Sequence, residues 1–313
     1  MTVLGVDCGG TNLKIAWVKE SGEIIRSALE PINFKRSVGQ VVADIASRIK
    51  IFLSRHGASG LRNLGMGIAG EIDSAQGIVR FSPNLGWKNV PLKKLLARHL
   101  DAKVAIENDA NCAAWGAYCL DAKKDCENLI CLTLGTGVGG GIVLGGKLYR
   151  GSTGSAGEIG HLTVDHRGRR CSCESLGCLE SQVGAWGLIQ TAKEGIESGR
   201  APILKRLLKA KGALLSPRLI EQAAKNNEPF SKKVWEEAGE CLGAAMASLV
   251  NVLNPDRIVL CGGVSKAGNL ILNPALRTLK ERAFKVPVKR VKVTVSKYDE
   301  NLGVVGAALL SRE

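Results

Sequence analysis

The chain carries one short pattern twice, and that repetition limits its fold more than any other feature. Residues 3–6 and 13–18 are apolar runs of strand type joined by Cys8-Gly9-Gly10-Thr11-Asn12. Residues 129–134 and 141–144 repeat the arrangement around Gly135-Thr136-Gly137-Val138-Gly139-Gly140. A glycine-rich turn between two such runs reads as a hairpin, and a threonine stands in each turn, Thr11 and Thr136. Recurrence of the unit among helical segments predicts a duplicated α/β plan with one hairpin per domain, the two facing across a cleft.

The segments between fit that plan. Residues 38–56 set Val38, Val41, Val42, Ile45, Ile49 and Leu53 at helical spacing. Residues 63–69 read as a strand running into a turn-rich stretch, 70–87. Residues 91–100 read as a helix opened by proline, 104–106 as a strand and 110–120 as a helix. Further helices are expected over 183–197, 216–226 and 231–254, the last stopped before Pro255. A buried strand over 257–261, another over 291–296 and a helix over 302–310 close the chain. Its 313 residues leave room for about two domains, joined by a hinge and not a low-complexity tether.

Composition narrows the partners. The apolar share of 45% suits an ordinary globular core, and 43 basic against 29 acidic residues give a net charge of +14. That balance favours anionic partners such as nucleotide phosphates. The basic residues are scattered without aromatic interleaving, so no nucleic-acid partner is expected. Cys8, Cys112, Cys119, Cys126, Cys131, Cys241 and Cys261 show no framework spacing, which fits reduced thiols and a cytoplasmic setting. The longest uncharged run, 129–146, is too glycine-rich to span a membrane, and no secretory segment is expected ahead of the first strand.

The hairpins suggest what the anion is. Asp7-Cys8-Gly9-Gly10-Thr11-Asn12-Leu13-Lys14 lacks the Gly-Lys-Ser/Thr of a Walker loop and leads into a strand. Its glycines nevertheless let backbone N–H groups approach phosphate oxygens, and Thr11 adds a donor. Asp7, at a strand end, can hold Mg²⁺ through its waters. Gly135, Thr136 and Gly137 offer the same service, while Gly262 and Gly263 permit close approach of a base or ribose. A tight turn is the ordinary reason for one glycine pair; three such sites after apolar strands favour a nucleotide. Lys14 lies within reach of phosphates, although a strand lysine more often faces solvent.

Residues 154–180 hold a second chemistry. His161, Cys171, Cys173 and Cys178 make a Cys₃His set of the kind that closes a tetrahedral structural zinc site. The intervening stretch is polar and rich in Gly, Ser and Arg, a poor setting for cysteine as a small hydrophobe. Such a zinc would brace the loop and leave no position open for catalysis.

The two glycine hairpins resemble the phosphate segments of the sugar kinase/actin/heat-shock ATPase superfamily. Within it, Glu107-Asn108-Asp109-Ala110-Asn111-Cys112-Ala113-Ala114, Gly157-Glu158-Ile159-Gly160-His161 and Cys171-x-Cys173-x₄-Cys178-Leu179-Glu180 resemble the ROK family of hexose kinases and sugar-responsive repressors. The resemblance covers essentially the whole chain. It implies two ribonuclease H-like (actin-like ATPase) α/β domains with a cleft between them. These are expected as 1–107 plus the C-terminal helix at about 298–313, against 108–297. It implies Asp109 as catalytic base and Gly70, Asn84, Asn108, Asp109, Glu158, His161 and Glu180 as sugar contacts. The nucleotide set would be Asp7, Gly9, Gly10, Thr11, Asn12, Lys14, Gly135, Thr136, Gly137, Gly262 and Gly263. ATP, Mg²⁺ and structural Zn²⁺ are the implied cofactors, and a homodimer the implied assembly. Two departures are visible: Glu174 stands where Gly is commoner, and Ala69 where Pro is common.

The expected activity is therefore ATP-dependent phosphorylation of a hexose, glucose first. N-acetylmannosamine, N-acetylglucosamine, fructose and mannose remain alternatives, and polyphosphate is a conceivable donor. A repressor of the same family is expected to carry a DNA-binding domain ahead of the first hairpin. Each acid also has a plainer reading. Asp109 at a helix start is a favoured N-cap, and a helix N-terminus would keep it ionised. Glu158 and Glu180 taken alone read as solvated surface acids.

Overall fold

The computed structural model describes residues 2–57, 61–212 and 214–312. Apolar alternation makes the first repeat an antiparallel pair, β1 (Thr2–Cys8) and β2 (Asn12–Lys19), with Leu4, Val6, Leu13 and Ile15 fully buried. Strand β3 (Ile24–Pro31) continues the meander, and α1 (Val38–Arg55) buries Val41, Val42, Ile45, Ile49 and Phe52. Strand β4 (Asn63–Ile68) pairs parallel to β1. After it come β5 (Glu71–Asp73), β6 (Ile78–Ser82), β7 (Trp87–Val90) and α2 (Leu92–Ala97). Strand β8 (Lys103–Asn108) then adds parallel to β4 and runs directly into α3 (Asp109–Leu120). The first sheet has the order β3-β2-β1-β4-β8.

The second repeat gives β9 (Leu129–Leu134), β10 (Val138–Leu144) and β11 (Lys147–Leu148). Helices α4 (Leu179–Val183), α5 (Ala185–Glu197), α6 (Pro202–Lys211), α7 (Pro217–Lys225) and α8 (Pro229–Leu253) follow. Then come β12 (Arg257–Cys261), α9 (Asn269–Arg282), α10 (Lys285–Arg290), β13 (Lys292–Val295) and α11 (Leu302–Leu310). The second sheet, β11-β10-β9-β12-β13, repeats the order of the first strand for strand, and β12 and β13 are parallel as β4 and β8 are. The duplicated plan is thus present in the topology.

By backbone proximity the chain forms two units. One is Met1–Cys131, Gly140–Gly157 and Ser296–Glu313; the other is Leu132–Gly139 and Glu158–Val295. Helix α3 falls in the first, whereas the expected division set it in the larger domain. The reason is its packing against α11, which also covers β1 and β4. That contact is made by backbone: a Cβ at Gly306 would collide with the Cys112 carbonyl, and one at Gly65 with the Ala307 carbonyl. Among the described residues no helix is long and apolar enough to cross a membrane.

Several elements differ from the sequence reading. Strand β3 was not expected because it is an edge strand with half of its side chains exposed, Leu29 among them, and none buried. The stretch 70–87 holds a three-stranded sheet, β5-β6-β7, whose short strands are punctuated by left-handed Gly70, Gly77 and Gly86. The helix expected over 183–197 is broken at Gly184, which is extended (φ −60°, ψ 152°) and separates α4 from α5. Helix α10 is short and basic and buries no side chain, whereas α6, also basic, sets Ile203, Leu204, Leu207 and Leu208 at helical spacing, a signal the sequence reading passed over.

Because α3 and α11 meet through backbone at Gly306, Gly306→Val should force them apart and cost about 3 kcal/mol. A thermal melt measures this; a Tm within 2 °C of the parent at comparable ionic strength, on the scale of roughly 2–4 °C per kcal/mol, would contradict the packing.

Candidate active site

In the first unit, the site is built at the ends of β1 and β8. The β1–β2 turn closes with the Gly9 N–H donating to the Asn12 carbonyl at 3.0 Å, and Asn12 Nδ2 donates to Thr11 Oγ1 at 3.2 Å. Gly9, Gly10, Thr11 and Asn12 are all exposed. Antiparallel register pairs Asp7 with Lys14, so both lie on one face of the sheet. Lys14 Nζ donates to the Glu300 carbonyl at 2.7 Å. Burial lifts the Asp7 carboxyl to about 7, the negative charge of Asp109 pushes the same way, and Lys14 opposes. The two aspartates are therefore electrostatic neighbours.

Strand β8 delivers Asn108 and Asp109 to the start of α3. The cap is Asn108, not Asp109: its Oδ1 accepts from the Asn111 N–H at 3.0 Å, and its Nδ2 donates to the Gly70 carbonyl at 3.0 Å. Asp109 is left as the first helical residue, its Oδ1 accepting from the Ala110 N–H at 2.9 Å. Part of its surface reaches solvent, yet burial raises its proton affinity, and the N–H groups of Ala110 and of Asp109 itself only partly offset this. Burial thus works against the ionising effect expected of the helix terminus. Gly70 has φ 128°, and a Cβ there would meet Phe81 and Ser82. Asn84 is exposed in the 3₁₀ turn Pro83–Leu85. Trp87 is buried edge-on to Phe34 at 6.1 Å, which makes it a core anchor.

Sequence reasoning missed the group that holds this junction. Glu107 is 4% exposed, and its Oε2 lies 2.7 Å from Arg150 Nε. Its Oε1 accepts from the Asn108 N–H at 2.9 Å and from Asn111 Nδ2 at 3.1 Å. The available signal was a carboxylate at the buried end of an apolar strand, a place where an acid needs partners.

In the second unit, the ligand atoms of His161, Cys171, Cys173 and Cys178 all lie within 4.8 Å of one another. The Cys173 and Cys178 sulfurs are 3.6 Å apart, and Cys171 Sγ is 3.8 Å from His161 Nδ1. The donor set suits a tetrahedral zinc, and these two separations match the roughly 3.5–3.8 Å that such an ion sets between its donors. Burial, followed by hydrogen bonding with Cys173 and Cys171, pushes the Cys178 thiol up to about 12. The loop turns through Glu174 at φ 71°, a left-handed position where glycine costs nothing. The departure from the family pattern thus falls on the turn and not on a ligand.

His161 presents Nδ1 to the thiols, while its Nε2 lies 4.0 Å from Oε2 of the exposed Glu158. Glu180 uses both oxygens within the unit, Oε2 accepting from the Val138 N–H at 3.0 Å and Oε1 from Ser172 Oγ at 3.1 Å. It therefore ties the cysteine loop to the second glycine turn. That turn is closed by the Gly135 N–H donating to the Gly137 carbonyl at 2.9 Å, with Thr136 exposed.

Why these turns are glycine can be read from their surroundings. Gly137 leaves room for the Glu180 carboxylate, and Gly262 (φ 92°) for the Leu134 backbone. Among the described glycines, those with neither a left-handed φ nor anything within 4 Å of an added Cβ are Gly10, Gly39, Gly135 and Gly263. Gly9 meets only the Asn12 carbonyl at 3.4 Å. Three of those four belong to the proposed nucleotide set. Nothing within the chain demands glycine at them, and a ligand brought against the backbone would.

Comparison with known proteins bears on the family and the fold. A family model described as ROK family matches residues 3–313. The chain is 35% identical to a glucokinase of Halalkalibacterium halodurans, covering 99% of this chain and 94% of the relative. It is 28% identical to a xylose repressor of Caldicellulosiruptor bescii, covering 97% and 76%. The crystal structure of a ROK family glucokinase from Streptomyces griseus in complex with glucose and AMPPNP superposes with a TM-score of 0.84 at 31% identity, covering 100% and 99%. With the two like-ordered sheets, this likeness establishes the fold as a pair of ribonuclease H-like domains of the actin-like ATPase kind.

The raised Asp7 carboxyl has a consequence for stability. The unfolded chain loses this proton near the ordinary value of 3.8 and the native state only near 7. Between those values the native state binds more protons, so stability falls as pH rises through the window. Asp7→Asn removes the titration. In Mg²⁺-free buffer its Tm gain over the parent should be larger at pH 8 than at pH 5, and an equal difference at both would contradict the assignment.

Proposed function

The chain belongs to the ROK family, and on that premise we propose that it is an ATP-dependent hexokinase, most directly a glucokinase. It transfers the γ-phosphoryl group of ATP to the 6-hydroxyl of the sugar. The observation that carries this reading is Asp109, a carboxylate of raised proton affinity at the head of α3, relieved of capping by Asn108.

Asp109 accepts the proton of the primary hydroxyl as that oxygen attacks phosphorus. Phosphoryl transfer passes through a loose transition state and asks for little proton removal until late, so placement of the base matters more than its strength. The raised proton affinity helps it keep the proton once transferred. Gly10 and Gly263 and the hydroxyls of Thr11 and Thr136 offer donors to the nucleotide, while Gly9 and Gly135, whose N–H groups close their own turns, keep the approach clear of side chains. Asp7 is the carboxylate suited to a Mg²⁺ ion through its waters, and that ion would supply neutralisation of phosphate charge. Glu158 accepts from sugar hydroxyls, and the ring nitrogen of His161 turned away from the thiols meets the same ligand. Asn84, exposed and without a structural task in its turn, suits a sugar hydroxyl as well. The thiols with His161 Nδ1 hold zinc, which braces the loop carrying these groups.

Asp109→Asn should bind glucose and ATP with near-parental affinity by calorimetry while kcat falls by about three orders of magnitude or more. Near-parental turnover would remove Asp109 from the role. Stripping the metal should raise the sugar KM and lower the Tm together, as expected when a metal orders a binding loop. Unchanged kinetics in protein proved metal-free by elemental analysis would refute that link.

A further inference from the structure

We propose that Glu107 and Arg150 are positioning residues for the Asp109 base, an inference that rests on the kinase reading above. Glu107 holds Asn108, the residue directly before Asp109, and Asn111, two residues after it. One carboxylate oxygen accepts from the Asn108 backbone N–H at 2.9 Å, immediately before the base. The same oxygen accepts from Asn111 Nδ2 at 3.1 Å, two residues after it. Asn108 and Asn111 are in turn joined to each other by the helix cap at 3.0 Å. Three hydrogen bonds therefore enclose Asp109 in a closed circuit whose centre is the Glu107 carboxylate.

Two features set this circuit apart from ordinary core packing. Glu107 is 4% exposed, and Arg150 makes an ion pair with its other oxygen at 2.7 Å. A buried carboxylate keeps its charge, and so its strength as an acceptor, only while compensated. Asn111, 1% exposed, spends its amide donor on Glu107 and leaves its own Oδ1 buried without a hydrogen-bond partner. An apolar residue there would avoid that cost. The arrangement gives up stability to fix the direction of the turn, as a site that must hold its base in place does.

Arg150 also belongs to a second turn. Its carbonyl accepts from the Ala156 N–H at 3.1 Å, and the chain continues through Gly157 to Glu158. Removing the guanidinium would leave Glu107 uncompensated and free to turn toward water, taking the Asn108 and Asn111 bonds with it. The base would then lose its aim without losing its chemistry. A misplacement of about 1 Å costs on the order of 10²-fold in rate.

The test is steady-state kinetics on Arg150→Met and Arg150→Lys beside the parent, with rates per folded molecule well below each Tm. The arginine side chain is 40% exposed, so both variants are expected to fold. Arg150→Met should lose about 10²-fold in kcat while KM for hexose and ATP stays within about threefold. Arg150→Lys, which keeps the charge but not the planar fork, should fall between. A lowered Tm with unaltered kcat, a raised KM with unaltered kcat, or a lysine variant as slow as the methionine one would overturn the inference. Absence of hexose-dependent turnover in the parent would remove the kinase reading and this inference with it. An active parent with unaltered variants would remove this inference alone.

Discussion

Two carboxylates that repel each other are held as neighbours by packing, and much of the first unit serves to keep them there. Asp7 ends β1 and Asp109 begins α3; the charge of Asp109 adds to burial in lifting the Asp7 carboxyl to about 7. Left free, such groups would separate or take up water. Here the surrounding backbone does not yield, because α11 is seated against β1, β4 and α3 through glycines that leave no slack. Even the first turn of α11 takes part: a Cβ on Gly303 would come within 2.8 Å of Asp7 Oδ2. Perturbed acids placed close together in this way are the feature on which the proposed cation and base roles of Asp7 and Asp109 rest.

The second unit solves a different problem. The segment between His161 and Cys178 has little regular structure, and its described strand pairing is limited to two isolated bridges, Thr163 with Cys178 and Arg170 with Leu176. Four donors converge within it, placed so that a metal bound there would cross-link the segment beyond its backbone hydrogen bonds. Glu180 then connects this loop to the Gly135–Val138 turn through Ser172 and the Val138 N–H. Order is thus passed from one loop to another by a carboxylate, much as Glu107 passes it from β8 to α3 in the first unit.

What the sequence made legible was whatever repeats or carries a distinctive residue set. The duplicated hairpins foretold two sheets of like order, and the three cysteines with His161 foretold a converging donor set. Edge strand β3 and helix α10 were hidden because solvent-facing elements lack the apolar period that announces buried ones, whereas α6 carries that period at Ile203, Leu204, Leu207 and Leu208 and was overlooked. The short sheet β5-β6-β7 was hidden by the very glycines that shape it. At the site, the helix cap was assigned one residue late: Asp109 and Asn108 are both good caps by type, and only the fold shows which one turns back onto the helix. Glu107 and Arg150 are 43 residues apart, and nothing local to either names the other. Long-range pairs of this kind are written in the topology.

The central claim is that these residues together move a phosphoryl group to a hexose. It is tested most directly by following ADP release and sugar phosphate formation with ATP and Mg²⁺ over a panel of glucose, mannose, fructose, N-acetylglucosamine and N-acetylmannosamine, with phosphorus NMR locating the new ester. The account predicts hexose-dependent ADP release, fastest with glucose, and an ester at the 6-position. Sugar binding without hexose-dependent ADP release for any member of the panel would contradict it.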